Sequence, residues 1–450
     1  MEIEELYSIY LSCCGKVSTD SRSLKGGELF FALKGENFDG NKFAPKALED
    51  GAAYAVVSSD SGLCGDKYIP VDDTLAALGS LARYHREHLL LPDGKRLPVI
   101  GLTGTNGKTT TKELVREVLS KKYRITATSG NLNNDIGVPL SVLSITSDTQ
   151  IAVIEMGASH PDDIEKLVKV CAPDYGIITN VGTAHILGFG SFEGVKKAKG
   201  CLYDFLSSVG GTVFLNADDA VLSGMASSRQ GLSIIPYGVK CWNARVLPSD
   251  NVHPFLRIAL PENIGGPGRV LETKLVGSYN ASNALAAIAV GLHFGVSPDD
   301  AISAIAAYEP SNKRSQMVRT ERNTLIVDAY NANPSSMKAA LDNFANIHSA
   351  GKMALLGSMG ELGDISLESH IEIISALDGI AEVHLVGAEF RKALDSLEAS
   401  DSLADKRSVI TWHESSASLM AWLLEHPVSG ATILVKGSRS QEMEKVLPAL

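Results

Sequence analysis

A chain of 450 residues is too long for one ordinary domain, so two to four are expected. With 44% hydrophobic and 21% charged residues it reads as a soluble globular protein, and no apolar run approaches the ~18 residues of a membrane span. A formal net charge of −11 argues against nucleic acid as the main partner, while leaving room for small anions held by local loops.

The amino terminus, MEIEELYSIYLSCC, is acidic and lacks the basic start of a signal peptide. Six scattered cysteines with no C-x-x-C pair predict free thiols in a reducing cytoplasm. Residues 1–95 form a first region, turn-rich at first, with a strand-like core at Glu28–Leu33. A helical stretch follows at Phe43–Asp50, then an apolar strand at Ala53–Ser58. Thr74–Leu91 has helical spacing, with Leu75, Leu78 and Ala82 on one face. Pro92, Asp93 and Gly94 break that pattern, which predicts a hinge.

Residues 96–308 alternate between strand and helix signals and open on the most informative stretch in the chain. Val99–Leu102 reads as a buried strand, Thr103–Gly107 as a loop of small residues, and Lys108–Lys121 as a helix. This is the layout of a phosphate-binding loop, with Thr105, Asn106, Gly107, Lys108, Thr109 and Thr110 as its ligand set. Backbone N–H groups face the phosphates, Lys108 neutralises charge, and the Thr109 hydroxyl is placed for Mg²⁺. The strict pattern would put glycine where Leu102 stands, and Gly101 and Gly104 flank that position instead. The plainer alternative is an ordinary strand-to-helix turn.

Strands are predicted at Gln150–Glu155, Tyr175–Val181 and Gly211–Leu215, and helices from Pro161, at Phe192–Leu206 and at Ser278–Phe294. Such alternation predicts a mostly parallel sheet covered on both faces. Residues 232–276 read as a small antiparallel patch. Residues 309–450 alternate again, with strands at Thr324–Val327, Lys352–Leu356, Glu382–Val386, Ser408–Trp412 and Ala431–Val435. Helices between them, at Ser335–Ile347 and Glu368–Leu377, make this a second doubly wound α/β region. Ligand groups are expected at the carboxyl ends of the strands, in a cleft between the two regions.

Several side chains sit where such a cleft would need them. Glu155 ends an apolar strand, suited either to Mg²⁺ or to plain solvent exposure. His185 follows the strand from Tyr175, and a lone histidine there is either functional or a packing residue. Lys196, Lys197 and Lys199 share one helix, and the residues alone do not single one out. Asn131, Asn133 and Asn134 offer amides before a helix, though asparagine also simply makes turns. Tyr279, Asn280 and Asn283 open an apolar helix, and capping accounts for one of them at most. Arg314 and Asp328 straddle the second boundary as phosphate and ribose partners or as a structural ion pair.

Taken together, TGTNGKTT, GSYNASNALAA, DSRSLKGGELFFALKGENFDG, GNLNNDIGVPLSVL, EMGAS, NVGTAH, DAYNANPSSM, GSMGELG and KGSRS resemble the Mur ligase family. These are the ATP-dependent amide-forming enzymes of bacterial cell-wall synthesis. The resemblance covers all three regions and implies a UDP-sugar-anchoring domain at 1–95, an ATP-binding domain at 96–308 and a Rossmann-like domain at 309–450. It implies that ATP phosphorylates the peptide carboxylate of UDP-N-acetylmuramoyl-tripeptide, and that the amine of D-alanyl-D-alanine attacks the resulting acyl phosphate. Lys108 would hold phosphate, and Thr109, Glu155, His185 and a carbamylated Lys199 would hold metal. Asn280 and Asn283 would read adenine, and Arg314 and Asp328 would reach phosphate and ribose. Asp20, Ser21 and Arg22 match the uridine-diphosphate site, and Asn131, Asn133 and Asn134 the sugar-peptide site. Tyr330, Asn331 and Asn333 match the region that meets the dipeptide. The implied protein is a cytoplasmic monomer without nucleic-acid or membrane partners. The alternatives are a sister ligase that adds the third amino acid, a folylpolyglutamate-synthase-like enzyme on the same fold, and a nucleotide-dependent switch that forms no amide. Asp328–Pro334 lacks the arginine beside proline that the diaminopimelate adders carry.

Overall fold

The structure is a computed structural model and describes residues 1–35, 38–249, 253–311, 313–347, 349, 351–399 and 408–450. Glu36 and Asn37 of the Asp20–Gly40 motif lie outside the described residues.

The first sheet has four parallel strands, in the order Val17–Ser18, Leu29–Phe31, Tyr54–Ser58 and Tyr68–Val71. Alternate residues of a strand point to opposite faces. Leu29, Phe31 and Val56 therefore enter one core cluster while Phe30, Ala55 and Val57 enter another.

The central sheet has six parallel strands. Their order is Ser233–Tyr237, Thr212–Asn216, Tyr175–Ile178, Val99–Thr103, Ile151–Glu155 and Ile125–Ala127. Burial on both faces explains their near-continuous apolar runs. Ile100, Leu102, Val153 and Phe214 pack with helices Lys108–Leu119 and Asn280–His293, whereas Val99, Ala152, Ile154 and Val213 pack with Asp163–Cys171 and Phe192–Val209. One expectation is corrected here. Ser233–Tyr237 is not part of an antiparallel patch but an edge of this parallel sheet, paired along its length with Thr212–Asn216. The patch is reduced to Arg245–Leu247, Arg257–Ala259 and Val270–Glu272.

The third sheet also has six strands, in the order Gln316–Arg319, Thr324–Asp328, Thr432–Lys436, Lys352–Gly357, Glu382–Val386 and Ile410–His413. Only the first pair is antiparallel. The last strand in sequence is inserted centrally, in register with Thr324–Asp328, so that Asp328 and Lys436 become neighbours at the carboxyl ends.

Helix Thr74–His88 fastens the first sheet to the central one. Its Arg86 is fully buried, donates to the Cys171 carbonyl at 3.1 Å and pairs with Asp174 at 2.7 Å. The same Asp174 oxygen accepts the Val99 N–H at 2.9 Å, which ties the helix to the first residue of the loop strand. No helix among the described residues is long and apolar enough to cross a membrane.

Candidate active site

The loop after Val99–Thr103 is built around two glycines. At Gly104 (φ +149°) a Cβ would lie 1.9 Å from Thr179 Oγ1, and at Gly107 (φ +79°) one would lie 2.8 Å from Asn283 Oδ1. Neither position admits a side chain. This accounts for the displaced glycine of the motif: Leu102 is still inside the sheet and fully buried, and the close approach falls two residues later. Thr179 Oγ1 and Asn180 Nδ2 donate to the Asn106 carbonyl at 2.6 and 3.0 Å, while Asn106 N donates to Asn180 Oδ1 at 3.0 Å. The loop is thus held from the neighbouring strand's end.

Lys108 curls over this loop, donating to the Gly104 and Thr105 carbonyls at 2.8 and 3.1 Å. Burial pushes its ammonium down to about 8, with Glu155 opposing and Arg314 adding to the shift. On the other side of the helix start, Thr109 Oγ1 donates to Glu155 Oε1 at 3.2 Å, and Asn133 Nδ2 donates to the same oxygen at 2.8 Å. Glu155 Oε2 is buried without a partner. A buried carboxylate oxygen left open beside a threonine hydroxyl is a hard-oxygen donor set of the kind Mg²⁺ takes.

The structure separates the three lysines of helix Phe192–Val209. Lys197 is exposed and Lys196 is half-buried against Glu193 at 3.3 Å. Lys199 is buried, and its Nζ donates to the Gly104 carbonyl at 3.0 Å. Burial, and then the neighbouring Lys108, drive this amine well below the ordinary lysine range. As an ammonium Lys199 does not suit a cation site; as an anion it would.

His185 sits at φ +54° after the Tyr175–Ile178 strand, its Nδ1 in ion-pair contact with the Glu361 carboxylate but without hydrogen-bond geometry. Burial lowers its pKa, Glu361 opposes, and Lys108 and Lys199 add to the lowering.

The C-terminal sheet supplies the facing wall. Asp328 accepts from Ser315 N at 3.2 Å and pairs with the buried Lys436. The Arg314 guanidinium lies 3.7 Å from the Tyr330 ring centroid, and its Nε is buried without a partner. Asn333 caps helix Pro334–Ala345 and donates to Asn106 Oδ1 at 2.8 Å, while Asn106 Nδ2 donates to Ser335 Oγ at 2.9 Å. Asn331 contributes its carbonyl, 3.5 Å from Lys436 Nζ.

Between these walls lies a cavity of about 620 Å³ that gathers Thr105 to Lys108, Thr110, Asn133, Asn134, Glu155 and His185 with Asn280, Asn283, Arg314, Asp328, Tyr330, Asn331 and Asn333. A second cavity, of about 630 Å³, contains Thr109 and Asn131 and shares Arg314 and Tyr330 with the first, so their stacked pair stands between the two. Asn280 and Asn283 are buried and bonded largely to the chain: Asn280 Nδ2 donates to the Val276 carbonyl, Asn283 Nδ2 to Asn280 Oδ1, and Thr111 to Asn283 Oδ1. Asp20, Ser21 and Arg22 line neither cavity; Asp20 caps the turn Ser21–Ser23 and grips Arg22 through two hydrogen bonds, at 2.9 and 2.8 Å. Among the described residues no three of His, Cys, Asp and Glu cluster as a metal site, so the oxygens of Thr109 and Glu155 would carry that role with His185. Lys436, Asn180, Ser335 and Glu361 belong to the cleft region without having been singled out from sequence. Strand-end position in KGSRS was the available signal for Lys436.

Three family models match the chain: the Mur ligase family catalytic domain over residues 15–86, the Mur ligase middle domain over 102–291, and the Mur ligase glutamate ligase domain over 313–439. The UDP-N-acetylmuramoyl-tripeptide–D-alanyl-D-alanine ligase of Bacillus subtilis is 34% identical over 96% of this chain and 92% of its own length. The ligase of that name from Escherichia coli is 34% identical over 96% and 93%. A crystal structure of MurF from Acinetobacter baumannii matches with a TM-score of 0.81 at 29% identity, covering 96% of this chain and 92% of that one.

Proposed function

The chain belongs to the Mur ligase family, and on that premise we propose that it joins D-alanyl-D-alanine to the tripeptide carboxylate of UDP-N-acetylmuramoyl-tripeptide at the expense of ATP. It is an ATP-dependent peptide ligase of peptidoglycan precursor synthesis. The observation that carries this reading is the meeting of two lobes over one phosphate loop, where Asn333 and Ser335 touch Asn106 beside Lys108.

In this reading the loop N–H groups and Lys108 hold the ATP phosphates, and Arg314 and Asp328 reach them and the ribose from the C-terminal lobe. Asn280 and Asn283 line the adenine end. A tripeptide carboxylate oxygen attacks the γ-phosphorus, the β–γ bridging P–O bond breaks, and ADP leaves. The neutral amine of D-alanyl-D-alanine then attacks the acyl-phosphate carbonyl; the C–O bond to phosphate breaks, a proton is lost and the amide remains. Two anions must meet in the first step, and charge stabilisation is the largest requirement. Mg²⁺ held by Thr109, Glu155 and His185 would supply that shielding. Lys199, whose burial disfavours the ammonium form, is suited to add CO₂ and lose a proton, which would place a carbamate anion beside the loop. Closure of the lobes keeps water from the acyl phosphate.

Residues 1–95, with Asp20, Ser21 and Arg22, would anchor the UDP-sugar away from the reacting atoms, and Asn131, Asn133 and Asn134 would guide the sugar-peptide inward. Residues 96–308 would bind ATP, and residues 309–450, through Tyr330, Asn331 and Asn333, would meet the dipeptide. The protein would work as a monomer in the bacterial cytoplasm. The test is ATP consumption with UDP-N-acetylmuramoyl-tripeptide, with and without D-alanyl-D-alanine, and the mass of the product. Dipeptide-dependent phosphate release with formation of the pentapeptide is expected. Phosphate release indifferent to the dipeptide would favour the switch instead.

A further inference from the structure

Two non-glycine residues held at positive φ face each other across the lobe boundary. His185, at φ +54°, belongs to the central lobe; Glu361, at φ +62°, comes from the C-terminal loop after strand Lys352–Gly357. Their side chains are in ion-pair contact, and the Leu187 N–H donates to the Glu361 carbonyl at 3.4 Å. Gly363 packs so closely on Leu187 that a Cβ there would lie 3.1 Å from it. Left-handed backbone at a charged residue is strained, and such strain persists where the surroundings over-determine it. Here it occurs on both sides of one contact.

The electrostatics give this contact a purpose. Lys108 and Lys199 lie near His185 on the loop side, and Glu361 is the carboxylate that the opposite lobe brings against it. An imidazole whose Nδ1 faces a carboxylate keeps its proton on that nitrogen and leaves Nε2 as the acceptor. Resting on the function proposed above, we propose that Glu361 is a positioning residue. It fixes the ring and tautomer of His185 from across the cleft, so that the phosphate-facing wall is complete only when the lobes are together.

The test uses Glu361→Gln, which keeps the shape and removes the charge, and Glu361→Gly, which removes the side chain and relieves the backbone. Wild-type protein is assayed first for pentapeptide formation; failure there refutes the proposed function and leaves the imidazole measurement below to judge Glu361. In a working enzyme, both variants should lower kcat roughly 10-fold or more while KM for ATP is unchanged. Glu361→Gly should melt no lower than wild type, and Glu361→Asp should recover part of kcat. In the nucleotide-free protein, imidazole ¹⁵N spectra should show the His185 proton on Nδ1 in the wild type and shifted toward Nε2 in Glu361→Gly. Unchanged kcat, unchanged His185 signals, or a kcat loss matched by a fall in melting temperature for Glu361→Gly would each overturn the assignment.

Discussion

Replacing Gly104 by alanine tests whether the phosphate loop is shaped by its contact with the neighbouring strand. The added Cβ would sit 1.9 Å from Thr179 Oγ1, so about 1 Å of extra separation must open between the two chains. Thr179 Oγ1 cannot yield freely, because it donates to the Asn106 carbonyl at 2.6 Å. Losing that hydrogen bond costs about 1 kcal/mol. Holding alanine at φ +149° costs a further ~1–3 kcal/mol, giving about 3 kcal/mol in all. For a domain of this size that corresponds to a melting temperature lower by roughly 5–10 °C. Displacement of Asn106 also misdirects the loop N–H groups, so ATP affinity should fall at least ~10-fold. Calorimetric titration with ATP and thermal denaturation measure both effects. The double variant Gly104→Ala, Thr179→Ala removes the obstructing hydroxyl and should regain part of the stability while keeping the backbone strain. Wild-type ATP affinity and melting in Gly104→Ala would refute the reasoning.

Lys199→Ala should nearly abolish turnover, and short carboxylic acids should restore part of it; full activity without added acid would remove the carbamate from the account. Arg86→Ala leaves Asp174 and the Cys171 and Ala172 carbonyls without their cation and should destabilise the protein by about 3 kcal/mol, read by urea titration. Acid stability should depend on His413. Burial, and then the nearby His384, hold its pKa down to about 4, so it stays neutral in the fold while the unfolded chain takes up a proton below about 6.5. Its contribution to stability is therefore lost as pH falls from about 6.5 towards 4, and His413→Gln should flatten the stability curve in that window. A curve of unchanged slope would assign the acid sensitivity elsewhere.

The doubly wound sheets were legible because buried parallel strands leave near-continuous apolar runs, as in IAVIE and VIGLT, punctuated by glycine and proline. Ser233–Tyr237 is hard to read because its pairing partner lies twenty-one residues earlier and its own pattern, SIIPY, is short and carries a proline at an edge position. The phosphate loop announced itself through the order of Lys108 and Thr109 before a helix. What made Gly104 the working glycine, however, was Thr179 on another strand, which spacing along the chain cannot show. Among Lys196, Lys197 and Lys199 the residues alone leave the choice open and the family resemblance points to the third; in the fold only Lys199 reaches the loop carbonyl. Lys436 escaped notice because its partner Asp328 is over a hundred residues away, brought alongside by the late insertion of the last strand into the sheet. Glu361 is significant only once the two lobes face each other.

The central claim is that the γ-phosphoryl group passes to the peptide carboxylate before the amide forms. The most direct measurement labels that carboxylate with ¹⁸O and analyses the phosphate released during synthesis of the pentapeptide. Transfer of one labelled oxygen to each phosphate is the predicted result; released phosphate free of ¹⁸O would contradict it.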